Sequence, residues 1–404
     1  MNHKTIPLAA ALSLGLATLA SAEPPAYMAG HPAPGPAAGK PVPQTTYQYI
    51  YVTGSTAARS AFYMAVMDGT TVFDAAPTAI TQGSSSASGA SYMNFVGSMA
   101  GVATVIKCHW SGSEAGIGDL AGSGTEQFLD DSATSSLSSS TPGPFVTSTV
   151  DLCMADNNAV YSRNPGAAIT GTEVCIVPFK WEKEKGSAAS LTNVTDQSVR
   201  SALAGGAKLA LFSGNTADTN WVYVSGRNNQ SGTRVNAFGD TGYGIFTAPY
   251  QLEVNPNGSM IVQADGNILE DVGYSGGGSV ATQLGYDLSQ ATAVDIANGN
   301  GAQPYSVIAY LGIGDSTTAE ANGASPLTYN GVAYSVAAVQ QGQYCFWGNE
   351  YMYHKNTVSS QALAVFGKMT APAGISAHAD GVTEINLSTM QAVRNGPTSD
   401  PSHL

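Results

Sequence analysis

Residues 226–238, GRNNQSGTRVNAF, set two arginines around a Ser-Gly-Thr triplet just ahead of an apolar pattern. Arg227 and Arg234 are two of only 15 Lys plus Arg in 404 residues. Ser-Gly-Thr before a helical run is a start signal, because hydroxyls and a Gly satisfy the free N–H groups of a first turn. Such a turn is also a ready anion site. Two readings therefore fit: an ordinary N-cap flanked by surface arginines, or an anion-holding loop. The choice between them sets the reading of the whole chain.

Strand-like runs surround this stretch. WVYVSGR (221–227) leads into it, and SVIAYLGIG (306–314) and YCFWGNEYMY (344–353) are apolar runs farther on. Upstream, TYQYIYV (46–52) alternates like a strand entering a core. After Gly54-Ser55-Thr56, Ala58, Phe62, Ala65 and Val66 fall on one helical face. VATVIKC (102–108), VDLCMAD (150–156) and VCIVPFKW (174–181) read as further buried strands, and residues 121–149, rich in Ser, Thr and Gly, as a long loop. No fixed-period repeat is present. This alternation predicts an α/β fold with mostly parallel sheets. Residues 46–396 are long enough for two lobes.

The flanks carry their own signals. MNHKTIPLAAALSLGLATLASA (1–22) has a basic start, an apolar stretch and an Ala20-Ser21-Ala22 site, predicting a cleaved export signal. An uncleaved anchor is the competing reading, against which the short apolar run argues. No Cys follows it, which argues against a lipoprotein anchor. Residues 23–45 hold seven of the 20 prolines and read as an extended spacer or a tail. The formal net charge of −13 becomes −14 once Lys4 leaves with the signal. A chain this acidic is a poor partner for nucleic acid or an anionic membrane, so any captured anion must be held by local geometry. Cys108, Cys153, Cys175 and Cys345 would lie in an oxidising compartment, with three pairings open to them. No CxxC or His spacing suggests a metal site, and no cofactor is expected.

In α/β folds ligands collect where strand ends enter helices. Four such loops share hydroxyls, small residues and a few charges: GSTA (54–57), SGSEAG (111–116), the end of VDLCMAD, and GRNNQSGT (226–233). In this order they resemble the phosphate-binding proteins of ABC transporters, with the type 2 periplasmic-binding-protein fold. GSTA resembles that family's first anion loop, with Thr56 and Ala57 as ligands. GSEAGI resembles its second, with Ser113, and VDLCMAD its strand ending in the ligand aspartate, Asp156. Arg227 precedes Ser231, Gly232 and Thr233 by the family's spacing. VCIVPFKWEKEKGS (174–187) resembles the strand crossing between lobes, LTNVTDQSVRSALAGG (191–206) the next helix, and GQYCFWGNEYMYHK (342–355) the return.

The resemblance spans about 47–370 and implies a two-lobed, exported, non-enzymatic protein with a two-strand hinge. Lobe I would comprise 46–178 and 350–396, lobe II 179–349, and 397–404 a tail. The ligand would be phosphate or a similar oxyanion, and an ABC-type membrane component would receive it. Three departures stand out: the insertion at 121–149, Glu114 where the family has a small residue, and Asn229 where an aspartate pairs with the arginine. One hypothesis joins the last two, with Glu114 as the new partner of Arg227. Asp156, an acceptor only, would favour an anion that keeps a proton and so select phosphate over sulfate. Two other readings stay open. A surface protein reusing the fold suits the Gly/Ser/Thr/Asn-rich composition and the spacer. A secreted hydrolase would need Gly314-Asp315-Ser316 and a base such as His378.

Overall fold

The computed structural model describes residues 46–122, 124–137, 141–256, 260–262, 272–286 and 305–404. The export signal and the spacer, residues 1–45, lie outside the described residues. The architecture hangs on one strand of 15 residues, Ile169–Lys183. Its first part, as far as Pro178, pairs antiparallel with the return strand Trp347–Lys355, and its last part, from Phe179, pairs with Tyr305–Gly312. Among the described residues an eleven-stranded sheet results, with the short strand Ser325–Pro326 also pairing antiparallel with the end of the crossing strand at Lys183 and Glu182.

On one side of the crossing, the return strand is followed in order by Leu152–Ala155, Gln48–Gly54, Val102–His109, Tyr92–Met99 and Thr78–Gln82. On the other side come Tyr305–Gly312, Trp221–Ser225 and Ala207–Lys208. Parallel pairing occupies the heart of both lobes: Gln48–Gly54 with Val102–His109 and Leu152–Ala155, and Trp221–Ser225 with Tyr305–Gly312. Antiparallel pairing belongs to the crossing and return strands and to the two edges, where Tyr92–Met99 joins Val102–His109 to Thr78–Gln82 and Ala207–Lys208 pairs with Trp221–Ser225. The chain is thus an α/β, two-lobed protein, as its strand–helix alternation predicts.

Local sequence accounts for the elements. Helix Arg59–Met67 buries Ala61, Phe62, Ala65 and Val66, an apolar stripe at helical spacing. Helix Ser113–Ala121 begins after Gly112, whose φ of 114° is open to glycine but strained for other residues. A Cβ there would also stand 2.6 Å from the Gln230 carbonyl oxygen, across the junction of the lobes. The crossing is packed by rings: Phe179 and Trp181 both lie against Phe346, with centroids 5.2 and 5.6 Å apart. Trp181 also meets Tyr310 edge-on, and the Tyr344 hydroxyl donates to the Phe179 carbonyl at 2.9 Å.

Two expectations need correction or completion. Residues 121–149 are not a plain loop, because Thr125–Leu129 and Phe145–Thr149 form an antiparallel hairpin. The alternation of FVTST, half-buried and exposed by turns, is what builds it. All four cysteines are free thiols, three of them buried, so none of the three pairings forms.

The C-terminal segment folds back on the junction. The Arg394 guanidinium pairs with Asp240 at the end of helix Gly232–Asp240 and donates to the Trp347 carbonyl at 2.8 Å and the Pro397 carbonyl at 2.7 Å. Both charged groups are almost wholly buried. Truncating one member of such a pair strands the other in a low-dielectric site. Arg394→Ala is therefore expected to cost about 3–5 kcal/mol, whereas Arg200→Ala, in a solvent-exposed pair with Asp196, should cost at most about 1 kcal/mol. Urea unfolding of both variants checks this; equal losses would show that the C-terminal strap contributes nothing special.

Candidate functional site

The parallel strands send their C-terminal loops toward one cleft between the lobes. Gln48–Gly54 leads to Thr56 and Ala57, Trp221–Ser225 to Arg227 and Thr233, and Tyr305–Gly312 to Asp315. The cleft has a volume of about 360 Å³, and Thr56, Ala57, Arg227 and Thr233 all line it. Arg227 is 4% exposed, and its Nε has no partner among the described residues, while Nη2 donates to the Ser275 carbonyl at 2.8 Å. Burial lowers its pKa; the Asp315 carboxylate, and after it Asp156, oppose that shift.

The other four predicted residues do not line the cleft. Ser231 is the N-cap of helix Gly232–Asp240, its Oγ accepting from the Arg234 N–H at 3.3 Å. The ordinary cap and the ligand loop thus coexist in one stretch. Ser113 donates from Oγ to Asp156 Oδ1 at 2.6 Å and accepts from the Asp156 N–H at 3.2 Å. Thr233 Oγ1 reaches Asp156 Oδ2 at 3.5 Å from the other lobe. Gly232 presses on the same carboxylate so closely that a Cβ would fall 1.5 Å from Oδ1. Asp156 is therefore held between Ser113, the first residue of one helix, and the first turn of another. Burial raises its pKa, and the Ser113 hydrogen bond and the Arg227 charge hold it down. Further bonds join the lobes here: Asn236 Nδ2 donates to the Asp156 carbonyl at 2.7 Å, and the Glu114 N–H to the Gln230 carbonyl at 3.1 Å.

Glu114 is not the partner of Arg227. Its Oε1 accepts from Asn157 Nδ2 at 2.8 Å and its Oε2 from the Arg163 N–H at 3.0 Å. The carboxylate is used to order the 157–163 turn, so it does not face the cleft. Asp315 stands in the electrostatic place that Glu114 was expected to fill. Asn229 is buried, with Oδ1 unpartnered among the described residues. Arg234 turns away, donating to the Val272 carbonyl at 3.1 Å and lying over the Phe238 ring.

Three further side chains belong to the site. Arg59, two residues beyond the end of GSTA, lines the cleft and makes no hydrogen bond or ion pair among the described residues; burial lowers its pKa, and Asp315 opposes this. Its signal in the sequence is a scarce cation adjoining a hydroxyl loop. Glu384 lines the far side with Oε1 unpartnered, its carboxyl pushed up to about 7, chiefly by burial. Glu350, on the return strand, accepts from Ser55 Oγ at 3.0 Å beneath the GSTA loop.

The hydrolase residues are engaged separately. Ser316 Oγ donates to Glu182 at 2.6 Å, and His378 faces Asp68 at 3.2 Å. Among the described residues no His, Cys, Asp and Glu group is arranged to hold a metal ion.

No family model matches this chain, and no curated protein matches it in sequence. Solved structures do. A substrate-binding protein of a phosphate ABC transporter from Clostridium perfringens, solved with bound phosphate, superposes with a TM-score of 0.50 at 11% identity, over 84% of this chain and 100% of that one. An ABC-type phosphate transport receptor from Vibrio cholerae gives a TM-score of 0.45 at 9% identity, over 80% of this chain and 93% of that one. At such identity the likeness is one of fold: the chain has the two-lobed periplasmic-binding-protein fold.

Glu350 supplies a pH test. Burial raises its pKa well above the usual glutamate range, and the Asp156 and Glu384 charges add to that. A raised folded-state pKa stabilises the fold below the unfolded value, about 4.3, and that contribution is lost as pH rises above it. Glu350→Gln removes the titration and keeps an acceptor for Ser55. In urea unfolding, the variant should gain on the wild type between pH 5 and pH 8; a gain at pH 5 that disappears by pH 8 would reverse the assignment.

Proposed function

We propose that this chain is an exported solute-binding protein that captures a tetrahedral oxyanion, phosphate foremost, between its lobes for ABC-type uptake. In this proposal, lobe I comprises 46–178 and 350–396, lobe II comprises 179–349, and the crossing and return strands form the hinge. The observation that carries the reading is the buried Arg227 guanidinium, with Nε unpartnered, on a cleft also lined by Thr56 and Thr233. A fork of N–H donors engages two anion oxygens at once. Each hydrogen bond to the charged ligand contributes about 1.5–3 kcal/mol. Ser113 and Gly232 would complete the set from behind, and Asp156, accepting only, would reject sulfate. For Asp156 to do so, Thr233 must exchange its long bond to the carboxylate for one to the ligand.

One observation favours the second reading, a surface or structural protein that keeps the fold without transport. Asp156 already joins Ser113 of one lobe to Thr233 of the other, so the lobes have a bridge of their own.

Thermal melts of ligand-stripped protein separate the two. Phosphate at about 100 times its dissociation constant should stabilise by about 2.7 kcal/mol, and sulfate far less. Arg227→Ala should abolish the phosphate-dependent shift, and Arg234→Ala should retain it even if the protein starts less stable. No shift in the wild type would sink the transport reading; equal losses in both variants would show the arginines wrongly assigned.

A further inference from the structure

The cleft is larger and more mixed in charge than a free oxyanion requires. At about 30 Å³ for each water-sized group, a five-heavy-atom anion leaves more than half of its 360 Å³ unfilled. The volume falls in the range that holds small organic ligands, about 300–1,000 Å³. Beyond Thr56, Arg227 and Thr233, the walls are of a different kind. Ser84, Ser86 and Ser88 line one side, on the loop between Thr78–Gln82 and Tyr92–Met99. Asp315 and Glu384 line another, with Arg59 on the first turn of its helix.

Glu384 is the informative residue. It is 1% exposed, its Oε2 accepts from Thr383 Oγ1 at 2.5 Å, and its Oε1 has no partner among the described residues. A buried carboxyl oxygen without a partner is costly, and a ligand that pairs with it recovers that cost. An ionised phosphate oxygen can only accept, so inorganic phosphate has only its one or two protonated oxygens to offer an ionised Glu384. A hydroxyl both donates and accepts, and so satisfies the carboxyl whether or not it holds its proton. Asp315 adds a second carboxylate that disfavours a further anionic group and accepts from hydroxyls. The serines supply donors and acceptors without charge.

Resting on the proposed anion site, we infer that the ligand is an organic phosphate monoester. Its phosphoryl group is held by Thr56, Arg59, Arg227 and Thr233, and its uncharged, hydroxyl-bearing substituent by Glu384, Asp315 and the Ser84–Ser88 loop. Arg59 serves the phosphoryl end because it is the cleft's other guanidinium and lines it beside Thr56 and Ala57.

Calorimetry on the folded full chain tests this, with glycerol 3-phosphate and inorganic phosphate titrated separately at neutral pH and fixed salt. The wild type should bind the ester at least tenfold more tightly than inorganic phosphate. In Glu384→Ala that ratio should fall at least fivefold; should this variant not fold, the Ser84→Ala/Ser88→Ala double variant should lower the ratio in the same sense. Inorganic phosphate bound as tightly as the ester, or more tightly, overturns the inference and leaves the anion-binding reading standing. Binding of neither overturns both.

Discussion

Strand Ile169–Lys183 changes partners between Pro178 and Phe179, and every feature of the cleft depends on that change. One end belongs to the half of the sheet that delivers Thr56, Ser113 and Asp156, the other to the half that delivers Arg227, Thr233 and Asp315. A strand hydrogen-bonded along its length to both halves fixes their registers relative to each other. The rings of Phe179, Trp181 and Phe346 hold it there. Close-packed aromatic groups have few alternative arrangements, so the crossing is held in one geometry.

Within that frame, the electrostatics of the junction are unusual for so acidic a chain. Asp156 sits against two helix starts and takes hydrogen bonds from both lobes. Arg227 and Arg59 face the cleft, with Asp315 and Glu384 opposite. A global field of formal charge −13 opposes capture of any anion, so selectivity has to come from oriented donors at close range. In the proposed site, the same carboxylates would weaken affinity for a multiply charged ion and sharpen the choice among ligands.

Much of this was legible in the sequence, and the exceptions have physical reasons. Strands with long apolar runs, such as VATVIKC and SVIAYLGIG, declare themselves because they are buried on both faces. The loops after TYQYIYV and WVYVSGR, singled out by their resemblance to anion loops, bring Thr56, Arg227 and Thr233 to the cleft. Short, polar TAITQ (78–82) did not stand out, and with it the serine loop on the cleft was missed. Arg59 was absorbed into the helix it begins. Glu114 was legible as anomalous, but its partners, Asn157 and the Arg163 N–H, lie 43 and 49 residues away, and no local pattern points to them. The hairpin in 121–149 was hidden by composition, since Ser and Thr mark loops and edge strands alike.

In the proposed function, an oxyanion binds in the cleft lined by Thr56, Arg227 and Thr233. Anomalous diffraction from crystals grown with arsenate tests it most directly, because arsenic marks the position of the anion. One strong arsenic peak is expected within hydrogen-bonding reach of Arg227 Nε and of hydroxyls from both lobes. A peak elsewhere on the molecule, or an empty cleft at saturating arsenate, would contradict it.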